Sequence, residues 1–164
     1  MSSMDWCRSM TMQRSLSLLA AFWLVAALYA LAAAETETKQ ETRMNISING
    51  QQFATELANN DTATAFAALA PMKIKMDDLH GNEKYHYLAT HLPSRPEKPG
   101  QIHAGDLMLF GDSCVVLFYR DFSTSYSYTR IGRLKNAGGL ASVLGTGAVT
   151  AEFSLETREQ KTMR

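Results

Sequence analysis

From Met44 onward, apolar and polar residues alternate with a period of two, and turn residues repeatedly cut the alternation. Met44, Ile46 and Ile48 alternate with polar neighbours up to Asn49-Gly50, and Phe53, Thr55 and Leu57 take the pattern up again. Asn-Gly between two such runs predicts a two-residue hairpin. Asn59-Asn60-Asp61 offers a cap for a helix from Thr62 to Leu69, with Phe66, Ala67 and Ala70 on its inner face and Pro71 as its stop. The next run, Met72 to Met76, points Met72, Ile74 and Met76 inward and its lysines outward. Asp77 to Glu83 reads as a turn or irregular loop, and Lys84 to Leu88 as a short strand. Pro93, Pro96, Pro99 and Gly100 mark a long surface loop, because proline cannot donate to a central ladder.

The stretch from Asp106 to Arg133 is the most structured in appearance. Leu107 to Phe110 forms a strand, Gly111-Asp112-Ser113 a tight turn, and Cys114 to Tyr119 a fully apolar run. A run buried on both faces implies a central position in a sheet. A loop of serine, threonine and tyrosine follows. Ser125 to Arg133 reads as the next strand, with Tyr126, Tyr128 and Arg130 on one face. Asn136 to Leu144 contains a short helical turn, and Val149, Ala151, Phe153 and Leu155 mark a closing strand. About eight short strands with one or two short helices make a mainly β domain, a compact barrel or sandwich with a polar aromatic surface at one end.

Residues before Met44 follow another pattern. Arg8 and Arg14 precede 19 uncharged residues, Leu16 to Ala34, which end in small side chains. A charged start, an apolar middle and an Ala-x-Ala end predict a secretory signal peptide over residues 1–34, cleaved before Glu35. The alternative is an uncleaved anchor, since the run approaches the roughly 20 residues that span a bilayer. Either way the positive residues stay on the cytoplasmic side and the domain is expected outside, in the periplasm or beyond the cell, or anchored to the inner membrane and facing outward. Residues 35–43 read as a polar tether, 44–157 as the domain and 158–164 as a disordered tail.

The balance of 16 basic and 16 acidic residues gives no basic face for a nucleic-acid partner. Loss of residues 1–34 removes Cys7 and leaves Cys114 alone in an apolar run, a buried structural thiol rather than a nucleophile or half of a disulfide. His80, His86, His91 and His103 lack the close pairing of metal-ligand motifs, and no metal or cofactor is expected. No Gly-x-Ser-x-Gly elbow accompanies the serines of the loop. Asn45-Ile46-Ser47 and Asn60-Asp61-Thr62 fit the glycosylation pattern, which matters only in a eukaryotic secretory pathway.

The strand order and four segments resemble the cyclophilin-like domain family of bacteria. The segments are Gly81 to Tyr85, Gly105 to Phe110, Val116 to Tyr119 and Phe122 to Arg133, and the resemblance spans Met44 to Leu155. It implies a closed β-barrel like that of cyclophilin, the peptidyl-prolyl isomerase. It also implies a possible envelope or flavodoxin-like protein partner, because such domains are sometimes joined to or encoded beside flavodoxin-like ones. The Phe-His-Arg and Gln-Gly-Gly-Asp-Phe segments that surround the proline pocket of true cyclophilins do not occur; Gly105-Asp106-Leu107 is a partial echo of the second. A divergent isomerase would have to draw on Arg120, Arg130 or Arg133, with Phe118 or Phe122 as pocket wall.

The composition of the loop points instead to recognition of a peptide or small molecule. Tyrosine offers a large rigid contact with one polar tip, and serine adaptable hydrogen bonds. The candidate ligand-binding residues are Glu83, Tyr85, Tyr119, Phe122, Ser125, Tyr126 and Arg130. Plain structural alternatives stand beside this: Glu83 as the cap of a turn, and Tyr126 and its neighbour Tyr128 as cross-strand packing partners.

Overall fold

The computed structural model describes residues 43–156. The expected signal segment of residues 1–34, nearly all of the tether and the tail lie outside the described residues. Ten strands and two short helices follow in order among those described: β1 (Arg43–Ile48), β2 (Gln51–Leu57), α1 (Asp61–Ala67), β3 (Met72–Leu79), β4 (Glu83–Tyr87), β5 (Gln101–Ile102), β6 (Asp106–Phe110), β7 (Cys114–Phe118), β8 (Phe122–Ser123), β9 (Thr129–Leu134), α2 (Leu140–Leu144) and β10 (Val149–Glu156). Eight strands close into an antiparallel barrel in the order β1-β10-β3-β4-β7-β6-β9-β2, and β5 pairs with β8 as a separate ribbon.

The period-two pattern explains which faces meet inside. Met44, Ile46 and Ile48 of β1 lie opposite Thr55, Phe53 and Gln51 of β2 and opposite Leu155, Phe153 and Ala151 of β10. The hairpin turns at Asn49 and Gly50, both with positive φ, as an Asn-Gly turn requires. Helix α1 starts one residue earlier than its pattern predicts. Asn60 caps it, accepting from the Ala63 amide at 2.8 Å, and the same side chain donates to the Arg130 carbonyl at 2.8 Å. The helix thereby delivers Phe66 to the barrel core, edge-on to Phe153 at 5.4 Å between centroids. Leu140 and Leu144 bring α2 to the same core.

Two segments depart from the sequence pattern. Asp77 to Leu79 is strand rather than loop: β3 continues until Leu79 pairs with Glu83, and only His80, Gly81 and Asn82 make the turn. His80 and Gly81 take positive φ there. Tyr126, Tyr128 and Arg130 do not share a strand face. The Tyr126 amide is bound by the Thr124 hydroxyl, Tyr128 bridges to Glu97 of the proline loop, and β9 begins only at Thr129. β2 and β9 approach so closely that a Cβ on Gly132 would sit 2.5 Å from the Glu56 carbonyl oxygen, so glycine is required there.

Candidate functional site

β7 lies between β4 and β6, and its alternation divides the candidate residues between two faces. Leu117 and Tyr119 belong to the barrel interior, with Lys84 opposite Leu117. Cys114, Val116 and Phe118 belong to a second apolar cluster on the other face, together with Ile102, Met108 and Tyr128. Tyr85 and Phe122 pack against that second cluster. The ribbon of β5 and β8, in which Ile102 pairs with Phe122, brings the two residues to it.

A cleft of about 520 Å³ opens beside this cluster. Its architecture follows from the register. Tyr87, Cys114 and Phe110 form one row across three strands, and Tyr85, Val116 and Met108 the next. Tyr85 and Tyr87 stand on β4 with their rings edge-to-face at 6.0 Å. On the β6 side, Phe110 meets Tyr126 edge-to-face at 6.1 Å and Tyr128 at a tilt, 5.6 Å between centroids. Cys114 and Val116 of β7 lie between these walls. Tyr87 and Tyr126 are each 64% exposed and Phe110 43%, so the aromatic surface is open to solvent.

Of the seven candidate residues, Glu83, Tyr85, Phe122, Ser125 and Tyr126 line this cleft. Tyr119 and Arg130 do not. Tyr119 follows the outward Phe118 and therefore points inward, where its hydroxyl donates to Asp78 at 2.6 Å. Arg130 turns to the buried Asp106, at 3.3 Å, beside Arg133 at 3.2 Å. Arg130 instead lines a separate polar cleft of about 500 Å³ between the start of α1 and the proline loop, with Arg95, Glu97 and Lys98. Period-two counting could have found Tyr87, Phe110 and Cys114, which share the outward parity of Tyr85 and Val116.

Glu83 does not cap its turn. Asp78 does, accepting from the Gly81 amide at 3.1 Å. The Glu83 carboxylate has no hydrogen-bond or ion-pair partner among the described residues, and burial raises its pKa above the usual glutamate value. The Asp78 charge adds to that rise, while His80 opposes it. Asn82, also in the lining, holds a buried Oδ1 without a hydrogen-bond partner among the described residues. Burial likewise pushes the Cys114 thiol up, which makes it a poor nucleophile. The histidines are dispersed: His86 Nδ1 lies 2.8 Å from the Lys75 carbonyl, while His91 sits by Asp112 and His103 by Asp121.

Behind the turn, on the inner face, lies a charged group that the sequence does not announce. Lys84 is fully buried, and its ammonium donates to Asp78 at 2.6 Å and to the carbonyls of Gly145 at 3.0 Å and Gly147 at 2.6 Å. It also lies 5.3 Å from the centre of the Tyr119 ring. The Lys84 ammonium, helped by the Tyr119 hydroxyl, holds the Asp78 carboxyl below the usual aspartate range. Burial, with the bond to Asp78, pushes the Tyr119 phenol up to about 12. This cluster joins β3, β4 and the loop before β10, and so fixes the strand ends that carry Glu83 and Asn82.

A model of the cyclophilin-like family matches residues 46–156. The chain belongs to the cyclophilin-like family. That match covers nearly the whole described domain and agrees with its closed eight-stranded barrel. Among solved structures, the cyclophilin-like chain is similar to the hypothetical protein AF2241 from Archaeoglobus fulgidus, determined in solution. The two share 20% identity over 73% of this chain and 98% of that one, with a TM-score of 0.49. No curated protein matches.

Proposed function

We propose that this cyclophilin-like domain is a binding module whose aromatic cleft on the β4–β7–β6 face takes a small molecule or a short peptide segment. The observation that carries the reading is the open pair of aromatic walls beside an unpartnered carboxylate, Glu83. Surface tyrosines ordinarily pack down on neighbouring strands; here Tyr87 and Tyr126 stand exposed on either side of a concavity. A saturation-transfer NMR screen of small molecules and short peptides against the full-length protein tests the reading. Hits whose binding is abolished by Tyr126→Ala are expected. A screen with no hit sensitive to that substitution would overturn it.

An isomerase reading finds less support. No arginine lines the aromatic cleft among the described residues, and Arg130 and Arg133 are both engaged by Asp106. Export to the periplasm or cell exterior, with cleavage before Glu35, belongs to the same proposal and rests on the charged and apolar pattern of residues 1–34. Docking to an envelope or flavodoxin-like partner is a further part of it, tested by pull-down from envelope extracts with Tyr126→Ala as the control bait.

A further inference from the structure

The chemistry of the cleft is one-sided. Glu83 presents a carboxylate without a hydrogen-bond or ion-pair partner among the described residues, beside Asn82, whose side-chain oxygen is buried and likewise unpartnered among them. Both sit at the β3–β4 turn, next to the ring pair of Tyr85 and Tyr87. Neither lysine nor arginine lines the cleft, and His80 is its one basic side chain. Ring faces carry negative potential and attract cations within roughly 6 Å of the centroid. An unpartnered, half-buried carboxylate and electron-rich walls call for the same group.

We infer that the cleft binds a protonated aliphatic amine, whose ammonium group meets Glu83 while its hydrocarbon chain lies between the β4 and β6 aromatic walls. The inference rests on the binding-module reading of the same cleft and adds the class of ligand. The two walls stand on strands separated by one other, about 9.5 Å apart at the backbone, which suits a single methylene chain between side chains. An anion would meet Glu83 without any lysine or arginine to offset it. A neutral alcohol would satisfy one acceptor and leave the carboxylate without a counter-charge. An ammonium offers up to three donors and the missing charge together. It would also favour the ionised form of Glu83, whose burial otherwise opposes ionisation.

The test is a chemical-shift titration of the full-length protein with pentylammonium, 1-pentanol and pentanoate, three probes of equal chain length. It is run at about pH 8, where an ordinary imidazole is neutral and an alkylamine is charged. Pentylammonium is expected to shift the amides of Glu83, Cys114 and Tyr126 and to bind about tenfold tighter than pentanol, with pentanoate weakest. Glu83→Gln should bring pentylammonium and pentanol to within about twofold of each other while the pentanol shifts persist. A blocked lysine peptide that produces the same shifts would identify a lysyl side chain as the source of the amine; binding of the free amine alone would identify a small metabolite. Equal binding of the three probes at these amides would overturn the cationic preference and leave the cleft as a ligand site. Absence of any shift with pentylammonium would overturn the inference outright, while the broader screen decides the binding-module reading on its own.

Discussion

Asp78 and Lys84 touch each other, yet their removal should have unequal consequences, because water reaches only one of them. The Lys84 side chain is fully buried, whereas that of Asp78 is 20% exposed. Asp78→Asn leaves an ammonium in a dry site with two carbonyls and a ring face, and loss of one partner of a buried pair costs about 3–5 kcal/mol. Lys84→Met keeps the volume of the aliphatic stem and leaves Asp78 with the Tyr119 hydroxyl, the Gly81 amide and access to solvent. Its cost is that of unmade hydrogen bonds at Gly145 and Gly147, about 1–3 kcal/mol. At roughly 4 °C per kcal/mol for a domain of this size, Asp78→Asn should lower Tm by about 12–20 °C and Lys84→Met by about 4–12 °C. Thermal unfolding at neutral pH measures both shifts, and urea unfolding the underlying free energies. The acid limb offers a second readout. Asp78 has a folded pKa below its unfolded value, so its contribution is present above the unfolded pKa and lost as pH falls through the folded one. Lys84→Met should flatten that limb. A Lys84→Met protein less stable than Asp78→Asn would refute the reasoning from burial.

Further expectations follow from single contacts. Tyr119 has a folded pKa of about 12 against an ordinary 10.0, so its contribution holds below pH 10 and fades as pH rises towards 12; a spectrophotometric titration should show this phenol ionising last, and Tyr119→Phe should remove the late step. Phe66→Ala should cost about 3–5 kcal/mol by chemical denaturation, since the ring is fully buried against Phe153. Gly132→Ala should destabilise by about 1–3 kcal/mol, because its Cβ would press on the Glu56 carbonyl. Iodoacetamide should modify Cys114 slowly in the native protein and rapidly in urea, as expected of a buried thiol with a raised pKa. Mass spectrometry of the protein recovered after expression in an exporting host should give Glu35 as its first residue.

The barrel was largely legible because its strands are short, alternating and separated by strong turn signals. Asn49-Gly50 and the proline loop locate boundaries by chemistry that acts within four residues. The Lys84 cluster was illegible for the opposite reason. A lysine beside tyrosines reads as a solvated face, and nothing local tells that carbonyls at Gly145 and Gly147 lie above it. Asp78 was hidden by its neighbours, since Asp77-Asp78 before His80-Gly81 looks like a turn although the ladder runs on to Leu79. The candidate site was half visible. Loop composition points to Phe122, Ser125 and Tyr126, and the turn that resembles the family's to Glu83 and Tyr85; these five line one cleft. Tyr119 lies off this cleft because the alternation of β7 runs on past Phe118, and Arg130 because no continuous strand joins it to Tyr126. The ribbon of β5 and β8 has two residues a side, too few for any periodicity to register.

The seam between β1 and β10 bears on when this chain acquires its shape. Arg43 pairs with Glu156, so the first and last described residues are ladder neighbours. β1 and β2 meet early as a hairpin, but a ribbon of two strands is marginal by itself in water. The ring closes only when β10 slots between β1 and β3, after every intervening residue has been made. Contacts so distant along the chain slow folding, because chain entropy is lost before the pairing gains anything. A nascent chain of this topology cannot close its ring before the residues of β10 have been made. The order of the strands thus works as a delay, holding off the folded state until the last strand arrives.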